Sequence, residues 1–273
     1  MKKRFFVLSC FLCIAMLSTF VSPLFAATEM VKKVDNFIVF IDQSGSMAWA
    51  KSEPGNQKFE QAVRSVKSLD NVTPELGYNS GVSTFAPYKS FAAPATYKTG
   101  ALSSSVDTIV PPFNSFTPLG DGLAGIDPVI GTLSGKTALI LYTDGVSNQG
   151  ADPVEEAKAL YGKYGQNLCI HAVSYADTPE GEETINAIRA LNGCSVVETG
   201  KDLESDAAMA GFAKATLYEE KEIAPAPAPV AKPAPVPVAK EVITFNLLFD
   251  FDKSDIKDEM IPALEQAKMI LEE

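Results

Sequence analysis

Histidine is nearly absent from this sequence of 273 residues, in which His171 is the only copy. A Ser-His-Asp triad would have to use that residue, yet no serine occupies the Gly-x-Ser-x-Gly turn that exposes a nucleophile in many such enzymes. His171 lies in an apolar segment at 168–175, so we predict that it belongs to a buried strand. The scarcity of catalytic bases favours a protein that is not an enzyme.

Basic residues are outnumbered: 23 Lys and Arg face 34 Asp and Glu, giving a formal net charge of −11. An acidic surface repels phosphate backbones and anionic membrane faces. We therefore expect no nucleic-acid partner.

Long apolar runs are confined to the N-terminus. A basic segment at 2–4 precedes an apolar run at 5–25, and small residues follow at 26–27. This order is typical of a secretory signal peptide, here residues 1–26, although a retained membrane anchor is the alternative. No later run is long enough to cross a bilayer, so we expect export to the periplasm or cell envelope without a transmembrane segment in the mature chain.

Cysteine is also scarce, with four copies, and Cys10 and Cys13 would leave with the signal peptide. Cys169 and Cys194 would remain in a compartment that permits oxidation. A disulfide and two buried thiols are both compatible with this pattern.

The rest of the chain divides into three segments by composition. Residues 34–220 alternate short β-branched runs with amphipathic stretches, whereas residues 221–240 are largely Ala, Pro, Val and Lys. Such a linker cannot bury a core and should be an extended, semi-rigid spacer rising about 3.1 Å per residue. Ordered patterning resumes at 241–273.

Alternation of strands and helices over the first segment predicts an α/β fold with a doubly wound, mostly parallel sheet and helices on both faces. In open sheets of this class, ligands bind at the carboxyl ends of the strands. The predicted strands are 37–41, 138–142, 168–175 and 195–198, and the predicted helices are 59–66, 153–163, 182–191 and 203–219.

Oxygen-bearing side chains gather at those strand ends. The sequence Asp-Gln-Ser-Gly-Ser begins at Asp42 and supplies Ser44 and Ser46, while Thr117 and Asp144 lie in two further loops. Five oxygen ligands suit a hard divalent cation, Mg²⁺ first, with Mn²⁺ or Ca²⁺ as alternatives. Because three of these ligands are neutral hydroxyls, the ion would keep positive character and an open position for an anionic group.

The order of these residues resembles the metal-dependent adhesion site of von Willebrand factor A domains, over about residues 34–220. The resemblance implies that all five side chains hold the metal, Ser44 and Ser46 directly and the two aspartates partly through water. It also implies recognition of a protein partner that offers a glutamate or aspartate. Trp49 and Phe116 flank the loops and are hypothesised to form the rim of the binding face.

Two other motifs are rejected on context. Gly120-x-Gly122-x-x-Gly125 matches a dinucleotide-binding fingerprint, but a proline-containing loop precedes it where a buried strand is required. The Gly-Lys-Thr sequence at 135–137 lacks the upstream glycine of a phosphate-binding loop and leads into a strand.

The C-terminal segment 241–273 resembles the opening of an OmpA-type peptidoglycan-binding domain. A predicted strand at 243–252 ends in Phe-Asp-Phe-Asp, and Met260, Leu264, Ala267 and Leu271 then follow helical spacing. The chain ends before the region that holds peptidoglycan in that family, so we expect an incomplete domain, and peptidoglycan binding only if the domain were complete.

Together these features predict an exported envelope binding protein, outer-membrane or cell-wall associated, with a metal-dependent recognition domain on a stalk. The alternatives are a metal-dependent hydrolase that uses the same site and a structural envelope linker.

Overall fold

The computed structural model describes residues 28–48, 57–110, 116–223, 244 and 249–272. These residues fall into two compact units that divide after Pro225. The signal peptide predicted at 1–26 and most of the predicted linker lie outside the described residues.

Strands and helices alternate along the described part of the first unit. The strands are β1 (Thr28–Lys32), β2 (Asn36–Asp42), β3 (Asn79–Phe85), β4 (Lys89–Thr96), β5 (Thr137–Thr143), β6 (Leu168–Ser174), β7 (Val197–Thr199) and β8 (Tyr218–Glu222). The helices are α1 (Gly45–Ala48), α2 (Lys58–Val72), α3 (Ala101–Val106), α4 (Leu119–Ile130), α5 (Pro153–Tyr164), α6 (Pro179–Ala190) and α7 (Asp206–Thr216).

Six of these strands form one sheet in the order β4-β3-β2-β5-β6-β7. All neighbouring pairs are parallel except β3 and β4, which pair antiparallel at one edge. From β2 the chain passes to β3 on one side, and from β5 it passes to β6 on the other. The order of the strands therefore reverses between β2 and β5, which is the position where open α/β sheets bind ligands.

Hydrophobic cores cover both faces of the sheet, as the predicted doubly wound fold requires. Phe37, Val39 and Ile41 of β2 pack on the face covered by α2, α3 and α7. Ile38 and Phe40 point to the opposite face, which α4, α5 and α6 cover. This alternation follows from the two-residue period of a strand, and burial on both faces explains why β2 is apolar from residue 37 to residue 41.

The end of the first unit corrects one prediction. The helix expected over 203–219 spans only Asp206–Thr216, and β8 follows it. β8 pairs antiparallel with β1 in a separate two-stranded sheet, and this pairing replaces the last helical turn. β8 includes Lys221 and Glu222, the first two residues of the linker predicted at 221–240, and that linker after residue 223 lies outside the described residues.

A disulfide joins Cys169 to Cys194, with the two Cα atoms 6.0 Å apart. It ties the second residue of β6 to the loop that precedes β7. Of the two states left open by the sequence, the structure therefore contains the bonded one.

The described part of the second unit contains one helix, α8 (Ile261–Glu272), after a 3₁₀ turn at Asp258–Met260. The strand expected over 243–252 is absent at 249–252, where the chain turns, and its remaining residues except Thr244 lie outside the described part. Across both units, none of the described helices has the length and apolarity needed to cross a membrane.

Candidate metal centre

The centre of the site is Asp42, the last residue of β2, whose side chain is completely buried. One carboxylate oxygen, Oδ1, accepts a hydrogen bond from the backbone nitrogen of Ser44 at 2.9 Å. The other, Oδ2, accepts one from the hydroxyl of Thr143, the last residue of β5, at 2.7 Å. These bonds fix the carboxylate at the carboxyl end of the sheet, in the gap between the two central strands.

The second acid, Asp144, follows β5 directly and is also completely buried. Its Oδ1 accepts a hydrogen bond from the backbone nitrogen of Val146 at 3.2 Å, which turns the loop back on itself. The parallel pairing of β2 with β5 sets Asp42 and Asp144 at the same end of the sheet. Two carboxylates therefore approach one another without solvent around either.

Three hydroxyls complete the five-oxygen site, a name used below for the side chains of Asp42, Ser44, Ser46, Thr117 and Asp144. The Oγ atoms of Ser44 and Ser46 are 3.0 Å apart, and Ser46 Oγ lies 3.5 Å from Thr117 Oγ1. Ser44 and Thr117 are fully buried. All five residues predicted from the sequence thus contribute to one cluster, although they come from three loops.

The position of Thr117 is set by the loop that carries Asp144. The backbone nitrogen of Thr117 donates to Oδ1 of Asn148 at 2.8 Å, and the backbone nitrogen of Asn148 donates to the carbonyl oxygen of Thr117 at 3.1 Å. This reciprocal pair locks the two loops together. Asn148 therefore orients a ligand hydroxyl without belonging to the five-oxygen site.

Burial makes the site electrostatically unbalanced. Desolvation, and after it the charge of Asp144, raise the pKa of Asp42 to about 7, although hydrogen bonds from Ser44 and Thr143 act in the opposite direction. A raised pKa means that the surroundings of this carboxylate disfavour its ionised form. The groups that donate hydrogen bonds to Asp42 are neutral, so these contacts do not balance its charge.

A protein cation, Lys58, reaches the cluster. Nζ of Lys58, the first residue of α2, lies 2.9 Å from Oδ2 of Asp144 and 2.6 Å from Oδ1 of Asp177. Burial alone would lower the pKa of Lys58, but the hydrogen bonds to Asp177 and Asp144 outweigh it and raise the pKa. Lys58 therefore stays charged beside the second acid of the site.

The residues present fit a divalent cation bound through oxygen. The donor set contains carboxylates and hydroxyls only, which are ligands for hard cations, and the charge deficit at Asp42 is of the sign that a cation would relieve. Within the described residues, no group of three or more His, Cys, Asp and Glu side chains is placed to hold a metal. The candidate centre relies on hydroxyls instead of a third acid, so it differs from sites built of acids and histidines.

The two rim residues cannot be treated alike. About half of Phe116 (53 %) is exposed, directly beside Thr117. Trp49 lies outside the described residues. Its place on the rim stays a prediction, as does a binding role for Phe116.

The rejected nucleotide motif has a packing function. A Cβ atom on Gly120 would lie 2.1 Å from the carbonyl oxygen of Ala151, and one on Gly122 would lie 2.6 Å from Cβ of Phe85. Both glycines lie in the first turn of α4, so they let this helix approach its neighbours closely. The glycine pattern is explained without a nucleotide.

His171 occupies the interior of β6, as predicted, and only 3 % of it is exposed. Its Nδ1 accepts a hydrogen bond from the backbone nitrogen of Val196 at 3.2 Å. Burial lowers the pKa of His171 to about 4. The ring is therefore neutral near pH 7 and stands in the sheet as a structural residue.

Lys58, Asn148, Thr143 and Asp177 take part in the site but were not predicted. Thr143 and Asn148 lie close in sequence to Asp144, which is a weak local signal. Lys58 and Asp177 carry no such signal, because Lys58 reaches the site from the start of α2 and Asp177 from the loop after β6.

Comparison with known proteins supports the fold alone. No protein-family model and no curated protein sequence matches the chain. Among solved structures, proximal thread matrix protein 1 from the mussel byssus is 19 % identical and superposes with a TM-score of 0.50, over 71 % of this chain and 50 % of that one. This chain thus spans about half of that protein's length.

Two further structures superpose less closely. A form of the same mussel protein described as having a zinc-occupied MIDAS motif is 20 % identical, with a TM-score of 0.47 over 68 % of this chain and 48 % of that one. An aerotolerance-related membrane protein from Bacteroides fragilis is 15 % identical, with a TM-score of 0.49 over 65 % of this chain and 98 % of that one. The first unit has the α/β fold of von Willebrand factor A domains, with a mostly parallel sheet between two layers of helices.

Proposed function

We propose that this chain is an exported cell-envelope binding protein that holds a divalent cation at the five-oxygen site and uses it to recognise an acidic group of a protein partner. The observation that supports the proposal is the convergence of two buried carboxylates and three hydroxyls where the strand order reverses. A buried carboxylate such as Asp42, which accepts hydrogen bonds from neutral groups, is costly for folding unless a cation joins it.

Each side chain has a distinct part in this proposal. Ser44, Ser46 and Thr117 would offer neutral hydroxyl ligands, while Asp42 and Asp144 would offer charge, partly through water. When bound, Mg²⁺ or a similar ion supplies a positive centre with a coordination position open to a carboxylate. The chain's own work is to orient the ligands: Thr143 and the Ser44 backbone hold Asp42, and Asn148 holds Thr117.

Export and attachment belong to the proposal through sequence features only. The basic and apolar residues at 1–26 support secretion, and the proline-rich segment after Glu222 supports a stalk. The likeness of 241–273 to an OmpA-type domain supports association with the outer membrane or cell wall. Peptidoglycan binding would require a complete domain of that type.

The direct test is calorimetric titration of Mg²⁺ and Mn²⁺ into the purified protein and its Asp42→Ala variant. We expect binding at one site in the parent and none in the variant. Asp107→Ala is the matched control, because Asp107 is exposed and its ion pair with Lys67 involves none of the five ligands. Absence of binding in the parent would contradict the metal site and favour the structural-linker alternative.

Recognition of acidic groups needs a second test. The probe is a fluorescent oligoglutamate peptide, with an oligoglutamine peptide of equal length as control. We expect the protein to retain the first peptide in Mg²⁺ and release it in EDTA. Metal binding without metal-dependent capture of the acidic peptide would preserve the metal site and contradict its use for carboxylate recognition.

A further inference from the structure

Lys58 is placed as an internal cation at the five-oxygen site. Its side chain is only 14 % exposed, and its ammonium group contacts Oδ2 of Asp144, an oxygen that accepts no hydrogen bond from the loop backbone described above. The remaining oxygen, Oδ1, is held by Val146. The carboxylate oxygen that the loop leaves open to a cation is therefore the one that Lys58 occupies.

We propose that Lys58 is a tethered competitor that sets the affinity of the site for divalent cations, an inference that rests on the proposed function. Without a metal, the ammonium offsets the negative charge of Asp144, one of the two desolvated carboxylates of the site. A divalent cation at the same acids must either displace the ammonium or remain beside it. Both alternatives oppose metal binding, the first by losing an ion pair and the second by repulsion between like charges.

Asp177 is a second ion-pair partner for the ammonium group of Lys58 when a metal displaces it from Asp144. It follows β6, and its Oδ1 lies 2.6 Å from Nζ of Lys58. Its side chain is 63 % exposed, whereas that of Asp144 is completely buried. Lys58 can therefore give up Asp144 and keep a solvated partner, so that Asp177 lowers the resistance of the lysine to metal entry.

The two acids that contact Lys58, Asp144 and Asp177, therefore have opposite effects on metal binding. Asp144 is the group for which the metal and Lys58 compete, whereas Asp177 draws the lysine away. Neutralising Lys58 should tighten metal binding, and neutralising Asp177 should weaken it. The effect of Asp177 should depend on Lys58 being present, which distinguishes this arrangement from a general change in surface charge.

The experiment compares Mn²⁺ and Mg²⁺ dissociation constants by calorimetry for the parent, Lys58→Met, Asp177→Asn and the double variant. Lys58→Met is expected to lower the dissociation constant about tenfold or more. Asp177→Asn should raise it by about threefold, and in the Lys58→Met background that rise should disappear. Lys67→Met is the matched control, because Lys67 lies on the same helix and pairs with Asp107; its dissociation constant should equal that of the parent.

The melting temperature is a second measurement, and it can be made with and without bound metal. In EDTA, Lys58→Met should melt below the parent, because Asp144 loses its counter-charge. In saturating Mn²⁺ the difference should shrink or reverse, because the metal replaces that charge. If Lys58→Met does not fold, Asp177→Asn still tests the proposal. Asp177 is exposed, and its replacement is expected to weaken metal binding.

The outcomes separate this inference from the proposed function. Equal or weaker metal binding by folded Lys58→Met, with binding retained in the parent, would overturn the competition and leave the metal site intact. An unchanged dissociation constant in Asp177→Asn would overturn it as well. No metal binding in the parent or in Lys58→Met would contradict the proposed function itself, because the lysine could no longer explain the failure.

Discussion

The hydroxyl of Thr143 donates to Oδ2 of Asp42 at 2.7 Å and accepts a hydrogen bond from the backbone nitrogen of Gly145 at 3.0 Å. One buried side chain at the end of β5 therefore holds both the acid at the end of β2 and the turn that carries Asp144. Thr143 therefore links the positions of the two carboxylates, which the backbone nitrogens of Ser44 and Val146 also hold.

Replacing Thr143 by Val should weaken metal binding about tenfold, because Asp42 loses a charge-assisted hydrogen bond of roughly 1.5 kcal/mol while its burial is unchanged. Thr143→Ser keeps the hydroxyl and should bind metal within about twofold of the parent. Titration calorimetry measures both. Equal affinities of the Val and Ser variants would show that Thr143 does not position the site.

Gly120 should tolerate no side chain. A Cβ atom there would meet the backbone carbonyl of Ala151 at 2.1 Å, so Gly120→Ala must displace α4 from the loop before α5. We expect the free energy of unfolding to fall by about 1–3 kcal/mol, measured by urea denaturation. Gly162→Ala, in α5 where nothing lies within 4 Å, should instead raise it by about 0.5–1 kcal/mol. Two shifts of the same sign would contradict the packing explanation.

The disulfide between Cys169 and Cys194 closes a loop with a sequence separation of 25 residues. In the loop-entropy treatment, its removal by the double substitution to Ala should cost about 3 kcal/mol of stability. Denaturation of the parent with and without dithiothreitol provides the comparison. If reduction left the parent unchanged while the double variant were destabilised, the loss would arise from packing and not from the cross-link.

His171 should make stability depend on pH in the mildly acidic range. Its pKa is about 4 in the folded chain, below the unperturbed value of 6.5, so between these values the unfolded chain binds a proton that the folded chain does not. Stability should therefore fall as the pH drops from about 6.5 towards 4, by roughly 3 kcal/mol in total.

The measurement for His171 is the free energy of unfolding of the parent and His171→Gln at pH 7 and at pH 4.5. Carboxylates titrate in both proteins, so the difference between their pH dependences isolates the histidine. The parent should lose about 2–3 kcal/mol more than the variant. Parallel pH profiles would mean that His171 is not held neutral in the folded state.

Some elements could not be predicted from local pattern. β3 reads Asn-Ser-Gly-Val-Ser-Thr-Phe, with few apolar residues, yet all but its first residue are buried because it lies beside the central strand β2. β1 and β8 are largely exposed and lack an alternating pattern, and they form because the two ends of the first unit meet. In each case the strand is decided by its partner and not by its own hydrophobic period.

The α/β class of the first unit and the five oxygen-bearing side chains of the candidate site could be predicted from the sequence. Continuous apolar runs such as 37–41 specify buried parallel strands, and the acids that end them must meet at one edge of the sheet. Which cation offsets the charge of those acids depends on the tertiary structure. Lys58 and Asp144 are 86 residues apart and adjacent in space. That contact exists because β2 and β5 pair, bringing the start of α2 and the loop after β5 to one edge, a consequence of long-range strand pairing that no local spacing encodes.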